Sequence, residues 1–211
     1  PKEKPALYAG NVTYMDHLVG KLVNAVDALG LGKRTMIIFT GDNGSASSGM
    51  LNGKPYPKGK GREADWGVHV PFVVRAPFLT QGGYSSRDLI DFTDLYPTFL
   101  DLANIPIPKN LKLDGRSFIP SLRGSVDPFE KRSWIYSQLG NFRVIRDWHH
   151  LVDSKGAFHD MKKDPLQLEK VNPLDKIAPG RRQRLEMILK RFPTNAPAPF
   201  PEFENKHRGL K

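Results

Sequence analysis

Two apolar runs flank a long polar segment in the stretch from Met36 to Pro77, MIIFTGDNGSASSGMLNGKPYPKGKGREADWGVHVPFVVRAP. The first run is continuous rather than alternating, which predicts a short, fully buried strand over Arg34–Thr40. This strand ends in Thr-Gly-Asp-Asn-Gly, and a second apolar strand is predicted over Val68–Arg75. The residues between them, 41–67, are predicted to be a loop rich in Gly, Ser, Lys and Pro. A connection this long without regular structure is unusual in a compact domain unless it has a function.

The segments around this stretch predict an α/β fold. Residues 6–30 carry apolar side chains at three- and four-residue steps, which indicates an amphipathic helix. A helix, a short turn and a buried strand form an αβ unit of a parallel sheet. A second amphipathic pattern over residues 88–104 predicts another helix, with Thr93 as a candidate N-cap and a start near Asp94.

The C-terminal part of the chain has a different pattern. Residues 105–131 are irregular, and residues 176–192 predict an amphipathic helix before a Pro-rich tail. Short strands separated by turns predict an antiparallel meander, over Trp134–Leu139, Phe142–Arg146 and His149–Val152. We therefore expect three parts: an α/β part over residues 1–125, a small sheet-plus-helix subdomain over 126–192, and an extended tail over 193–211.

The composition limits the possible functions. The chain of 211 residues has 32 Lys and Arg against 22 Asp and Glu, a net charge of +10 that favours polyanionic partners. A solvated basic surface explains the same charge, and no nucleic-acid-binding signature accompanies it. The absence of cysteine excludes disulfides and thiolate chemistry, and no apolar run approaches the roughly 18 residues of a membrane span. An anionic glycan or a small anionic substrate remains compatible with the charge, and we expect neither a nucleic-acid nor a membrane partner.

Asp42 and Asn43 are candidate metal ligands because they directly follow the first strand. Ligands in open α/β sheets bind beyond the carboxyl ends of strands, and carboxylate and amide oxygens suit Ca²⁺ or Mg²⁺. Asp-Asn-Gly is also a favoured turn sequence, and on the tripeptide alone the turn is the better interpretation.

The polar loop is a candidate anion-binding segment. Glycines alternate with basic residues in it, which allows backbone amides and cationic side chains to approach an anion. The basic residues are Lys54, Lys58, Lys60 and Arg62. The loop is not a P-loop, since no G-x-x-x-x-G-K-[ST] occurs, and a solvated flexible loop is the alternative.

The ordered set of motifs is more specific than each alone, and it resembles the sulfatase family of the alkaline-phosphatase-like superfamily. The motifs are YAGNVTYMDHLVGKLVNAVDALGL, TGDNG, KGREADWGVHVPFVVRAP, DLYPTFLDLANIPIP, LDGRSFIPSLRG and FHDMKKDPLQLEKV. They cover roughly residues 8–172 in the family's order. The resemblance implies part of a mixed or parallel alkaline-phosphatase-like sheet with flanking helices, followed by a small antiparallel sheet with a helix.

The resemblance also assigns roles to individual residues. It implies that Asp42 and Asn43 are ligands of one divalent cation, usually Ca²⁺, with Mg²⁺ as the alternative. The family's sulfate-binding lysine falls on Lys60, eleven residues before Pro71, with Lys58 as the runner-up. A lysine at this position would offset negative charge on the sulfate oxygens as the S–O bond breaks.

The chain departs from the family pattern in the segment before the second strand. Asp65 keeps an acidic character there, whereas His69 occupies a position where the family often has arginine. Trp66 replaces a small residue and is expected either to line the pocket or to pack under the loop. A single histidine on a strand is more often structural than catalytic.

The larger departure is that the nucleophile segment, Cys- or Ser-x-Pro-x-Arg, does not occur in this chain. The paired aspartates and catalytic histidine contexts of the family's N-terminal half are also absent, and His149, His150 and His159 are interpreted as structural or pocket-rim residues. The chain therefore resembles a C-terminal half, with formylglycine expected in a missing N-terminal half of the same protein. Two ligands cannot enclose a cation that takes about six oxygens, so this piece alone is expected to bind metal weakly and to be inactive.

The expected function is hydrolysis of a sulfate ester, with a sulfated carbohydrate favoured over a small aryl sulfate because of the positive charge. A phosphonate or phosphate monoester hydrolase of the same superfamily is the nearest chemical alternative. A non-catalytic module that binds anionic glycans is the alternative of another class, with a basic cluster at Arg181, Arg182, Arg184, Lys190 and Arg191. The resemblance implies a periplasmic, secreted or lysosomal location.

Overall fold

The computed structural model describes residues 5–51, 53–62, 64–165, 167, 179–192 and 194. Among them the helices are α1 (Pro5–Ala28), α2 (Asp65–Val68), α3 (Leu95–Leu102), α4 (Ile119–Leu122) and α5 (Pro179–Leu189). The strands are β1 (Ile37–Thr40), β2 (Gly49–Leu51), β3 (Lys54–Tyr56), β4 (Phe72–Arg75), β5 (Ile135–Leu139), β6 (Phe142–Arg146), β7 (His150–Asp153) and β8 (Phe158–Asp160).

The first sheet pairs β1 with β4, and an ion pair joins it to α1. The strands are antiparallel, with Ile37 opposite Arg75 and Thr40 opposite Phe72. The guanidinium of Arg75 donates to both carboxylate oxygens of Asp27, at 2.8 and 3.0 Å, and so joins α1 to β4. The predicted order of helix, turn and strand is correct.

The pairing of β1 with β4 is antiparallel because the segment between them contains no helix long enough for a parallel crossover. One detail of the predicted αβ unit is wrong. The predicted strand is not fully buried, because all four residues of β1 are half-buried in this two-stranded sheet.

The second large element is a four-stranded antiparallel sheet in the order β5-β6-β7-β8, called here the C-terminal sheet. The predicted meander is correct, and β8 is an additional strand that the sequence did not indicate. Helix α5 packs on one face and encloses an apolar core of Ile145, Val152, Phe158, Leu185, Ile188 and Leu189. The apolar face predicted for the last helix is therefore correct, while its predicted residues 176–178 lie outside the described residues, as does the tail apart from Thr194.

The remaining differences between prediction and structure lie in the loop 41–67 and at the start of the second predicted helix. The predicted loop 41–67 contains the β2–β3 hairpin and α2, and β4 begins at Phe72 rather than Val68. Thr93 is not the N-cap of the second predicted helix. Asp91 instead caps the 3₁₀ turn Phe92–Asp94 that leads into α3, because its Oδ1 accepts from the Thr93 N–H at 2.9 Å while Asp94 Oδ2 accepts from the Asp91 N–H at 2.8 Å.

Candidate functional site

The turn after β1 places the two candidate metal ligands together. The Gly41 N–H donates to the carbonyl oxygen of Pro71 at 3.2 Å, which extends the β1–β4 pairing to the start of the turn. Asp42 is exposed, Asn43 is half-buried, and the Asn43 Nδ2 donates to Asp42 Oδ1 at 2.6 Å. A carboxylate and an amide therefore lie side by side at the end of a strand whose position is fixed by its neighbour.

Three glycines allow the backbone of this turn to lie directly against the backbone of the basic loop and of α2. The Gly44 N–H donates to the Gly67 carbonyl oxygen at 2.9 Å. A Cβ on Gly44 would lie 2.1 Å from the Trp66 carbonyl oxygen, and one on Gly59 would lie 2.2 Å from the same atom. A Cβ on Gly67 would lie 2.0 Å from the carbonyl oxygen of Arg62. Since such contacts are far below van der Waals distance, only glycine fits at these three positions without displacement.

The candidate sulfate-binding lysines belong to a loop that is attached to the same turn. The N–H groups of Gly59 and Lys60 both donate to the Ser45 carbonyl oxygen at 2.9 Å. The Trp66 Nε1 donates to the Lys58 carbonyl oxygen at 3.1 Å, so this tryptophan contacts the backbone of the loop. The side chains of Lys58 and Lys60 are exposed. The structure thus brings the Lys58–Lys60 backbone against the turn that carries the candidate metal ligands.

Asp65, the first residue of α2, is buried at 8% exposure, and both its carboxylate and its backbone N–H make hydrogen bonds. Its carboxylate pairs with the Arg146 guanidinium and lies 3.3 Å from His69 Nδ1, and its N–H donates to Gln167 Oε1 at 2.5 Å. Burial acts to raise the pKa of Asp65, but the hydrogen bond from His69 and the charge of Arg146 outweigh it and lower the pKa. The hydrogen bond to Asp65 in turn raises the pKa of His69.

This cluster corrects the interpretation of His69 and adds two residues that sequence reasoning missed. His69 follows α2 rather than lying on a strand, and its imidazole is 73% exposed while contacting Asp65. Arg146 lies 81 positions from Asp65 along the chain, and no local spacing links the two. Gln167 adopts a left-handed backbone with φ of 53°, which sequence also did not indicate.

Two of the C-terminal histidines, His150 and His159, are buried. His150 is buried and stacks on Phe158 with ring centroids 4.9 Å apart, and this burial lowers its pKa. His159 is buried with Nδ1 3.3 Å from Asp164 Oδ2. These contacts fit the interpretation that both are structural.

The residues at the β1 turn fit part of a metal site. Asp42 and Asn43 offer adjacent hard oxygen donors of the kind that Ca²⁺ and Mg²⁺ take. Within the described ranges, no group of three or more His, Asp or Glu side chains could hold a metal ion. Two donors are far from the roughly six that such a cation requires, so any complete site needs further ligands.

Comparison with known proteins identifies the fold first. A solved structure of BT4656 in complex with its substrate D-glucosamine-2-N,6-O-disulfate matches 85% of this chain with a TM-score of 0.69 and 22% identity, and the match spans 38% of that chain. A crystal structure of Ps i-CgsB in complex with k-i-k-neocarrahexaose matches 90% of this chain with a TM-score of 0.71 and 24% identity, spanning 44% of that chain. The chain therefore forms part of the alkaline-phosphatase-like fold of sulfatases.

Sequence comparison then identifies the family. The Sulfatase family model matches residues 2–105. Human steryl-sulfatase is 33% identical over 156 residues, which cover 70% of this chain and 27% of the human protein. The chain belongs to the sulfatase family and spans about a quarter of the length of this relative. No helix in the described part of the chain combines the length and the apolar character needed to cross a membrane.

Proposed function

We propose that this chain contributes to hydrolysis of a sulfate ester of a carbohydrate, with Asp42 and Asn43 as ligands of Ca²⁺ or Mg²⁺ and Lys60 as the sulfate-binding residue. The observation that carries the proposal is the attachment of the Lys60 backbone to Ser45, three residues after Asp42. This attachment brings the Lys60 backbone close to the turn that carries the proposed cation ligands. A metal-bound sulfate would meet a second positive charge there.

Each residue has a defined role in this proposal. The carboxylate of Asp42 and the amide oxygen of Asn43 bind the cation, which would polarise the sulfate oxygens. The Lys60 ammonium offsets charge that develops on the leaving oxygen and on the sulfate as the S–O bond breaks. Lys58 is the alternative for this role, since it flanks Gly59 on the other side.

The remaining machinery is proposed to lie in an N-terminal half of the same protein, outside this chain. Formylglycine there would supply the nucleophile that attacks sulfur. In this scheme residues 1–125 complete the catalytic α/β domain, and residues 126–192 form the small subdomain. The exposed apolar side chains of α1 and α3 support this, because such surfaces are normally covered by protein. They include Leu18, Leu22, Tyr96 and Phe99.

The substrate class rests on charge and on relatives. The net charge of +10 favours an anionic polymer, and the similar BT4656 binds a disulfated glucosamine as its substrate. Sulfated glycans are therefore proposed over aryl sulfates. The resemblance to the sulfatase family supports a periplasmic, secreted or lysosomal location as part of the same proposal.

The test uses the full-length encoded protein with sulfated sugars and an aryl sulfate, alongside a phosphate monoester. Asp42→Ala is expected to abolish metal-dependent sulfate release, because the cation loses a charged ligand. Lys60→Ala is expected to lower kcat by roughly 10²–10³-fold, the usual cost of removing one charge-stabilising donor, whereas Lys58→Ala is not. Normal turnover by the Asp42 variant refutes the ligand assignment, and the reverse lysine result transfers the role to Lys58. Preferential cleavage of the phosphate monoester refutes sulfatase activity.

A second candidate function is non-catalytic binding of anionic glycans. Its support is the exposed basic surface of α5 and the residues after it, formed by Arg181, Arg184, Lys190 and Arg191. Heparin affinity that survives Lys60→Ala but falls when these four residues are neutralised would favour this function. Heparin affinity that is unaffected by neutralising them excludes it.

A further inference from the structure

Asp65 connects two parts of the structure that are distant in sequence. It lies on α2, between the basic loop and β4, whereas Arg146 lies on β6 of the C-terminal sheet and Gln167 lies after β8. The Asp65 and Arg146 side chains are 12% and 13% exposed, so their ion pair is largely removed from water. Breaking a buried pair on one side leaves an uncompensated charge, which makes the contact costly to lose.

We propose that Arg146 is a positioning residue: by binding Asp65, it fixes α2 and so holds the metal-ligand turn and the lysine loop in one arrangement. This inference rests on the proposed function, because it concerns the placement of Lys60 relative to Asp42 and Asn43. It assigns the C-terminal sheet a part in the site although that sheet supplies none of the proposed site residues.

The first step of the argument leads from α2 to the site. Gly67, within α2, accepts a hydrogen bond from the Gly44 N–H in the metal-ligand turn at 2.9 Å. Trp66, also within α2, donates its Nε1–H to the Lys58 carbonyl oxygen at 3.1 Å. Both candidate site segments are therefore attached to the four-residue helix that begins with Asp65.

The second step concerns the geometry of β6. Neighbouring residues of a strand point to opposite faces of the sheet. Ile145 belongs to the core under α5, and Arg143 Nη1 donates to the Phe192 carbonyl oxygen at 2.7 Å on that same side. Arg146 is opposite Leu151 in the register and lies on the other face, where it meets Asp65. The strand thus carries Arg143, which binds the backbone after α5, and Arg146, which binds Asp65 of α2.

This difference supplies a matched control. Arg143 is buried at 9% exposure, lies on the same strand and makes hydrogen bonds, but it contacts the backbone after α5 rather than α2. Arg143→Met is expected to destabilise the C-terminal sheet without moving the lysine loop. Arg146→Met removes the contact to Asp65, and Arg146→Lys keeps the charge as the conservative variant.

The experiment measures kcat and KM for a sulfated sugar and amide hydrogen exchange at Gly59 and Lys60, in the full-length protein below the unfolding temperature of every variant. Arg146→Met is expected to lower kcat by roughly 10²-fold, the scale of a 1 Å misplacement, with little change in KM. It should also accelerate exchange of the two amides, because their bonds to Ser45 open more often. Arg146→Lys should recover part of both losses, and Arg143→Met should leave kcat within about threefold of wild type while lowering Tm.

A double variant separates positioning from the cost of an unpaired charge. Asp65→Asn combined with Arg146→Met removes both charges, so stability should recover relative to Arg146→Met alone while kcat and exchange stay impaired. Wild-type kcat and exchange in folded Arg146→Met, or an equal kcat loss in Arg143→Met, overturns the proposal. A wild-type protein without sulfatase turnover refutes the proposed function instead, and the exchange rates still decide whether Arg146 fixes the loop.

Discussion

Substitution of Gly44 by alanine tests whether backbone packing places the lysine loop against the metal-ligand turn. The new methyl group would lie 2.1 Å from the Trp66 carbonyl oxygen, 3.0 Å from Gly67 Cα and 3.1 Å from Gly59 Cα. All three neighbours are backbone atoms, so no side-chain rotation can relieve the overlap. The turn and the loop must therefore separate.

The required displacement follows from these distances. Ordinary van der Waals contact for a Cβ begins at 3.4 Å, and 3.4 minus 2.1 gives a separation of about 1.3 Å at the closest contact. A misplacement of about 1 Å in a catalytic arrangement can lower turnover roughly 10²-fold. Overpacking of this kind costs about 1–3 kcal/mol of stability and therefore lowers Tm.

The assay compares Gly44→Ala with Gly49→Ala, which lies on β2 in the same segment and would place its Cβ in open space. Sulfate release is measured in the full-length protein, and thermal unfolding is followed in parallel. Gly49→Ala should keep turnover within about threefold of wild type and Tm within about 2 °C. Wild-type turnover in Gly44→Ala, or an equal loss in both variants, would refute the reasoning that glycine contacts set the geometry of the site.

Two further predictions concern other charged pairs. The side chains of Arg132 and Asp94 are 9% and 2% exposed, so Arg132→Met leaves a buried carboxylate without its ion-pair partner and should lower the free energy of unfolding in urea by about 3–5 kcal/mol. Lys163 pairs with Asp160 but is 78% exposed, so Lys163→Met should lower it by less than about 1 kcal/mol. His69 has a raised pKa, so its ion pair with Asp65 stabilises the fold fully below about pH 6.5 and is lost as the pH rises through that raised pKa. His69→Gln should remove this decline of the urea midpoint with rising pH, and an unchanged decline would contradict the assignment.

Local patterns in the sequence were sufficient where neighbouring residues determine the structure. The continuous apolar run of β1 fixed the end of the strand, and with it the placement of Asp42 and Asn43. The spacing of Leu185, Ile188 and Leu189 gave the buried face of α5, because side chains three and four residues apart share one side of a helix. The cap of the turn before α3 also has a local signal, since Asp91 and Asp94 have the three-residue spacing of a capping box.

The features that sequence did not indicate depend on contacts between distant residues. Whether β1 and β4 pair parallel or antiparallel depends on how the intervening 41–71 segment folds, which neither strand encodes. The Asp65–Arg146 pair joins positions 81 apart. A glycine in a loop usually indicates flexibility, whereas Gly44 and Gly59 are required here by close backbone contact, and this distinction needs the partner segment to be known.

The basic loop is attached through backbone hydrogen bonds, so the side chains of the candidate site can be replaced without detaching the loop. The hydrogen bonds of Lys58 and Lys60 to Trp66 and Ser45 use only the lysines' backbone atoms, so alanine at either lysine removes an exposed ammonium and leaves these bonds in place. Asp42 is exposed as well, and among the described residues Asp42→Ala breaks one side-chain hydrogen bond, from Asn43. Surface changes of this kind alter stability by about 0.5 kcal/mol or less. A large loss of turnover in any of these variants therefore reports on chemistry at the site rather than on folding.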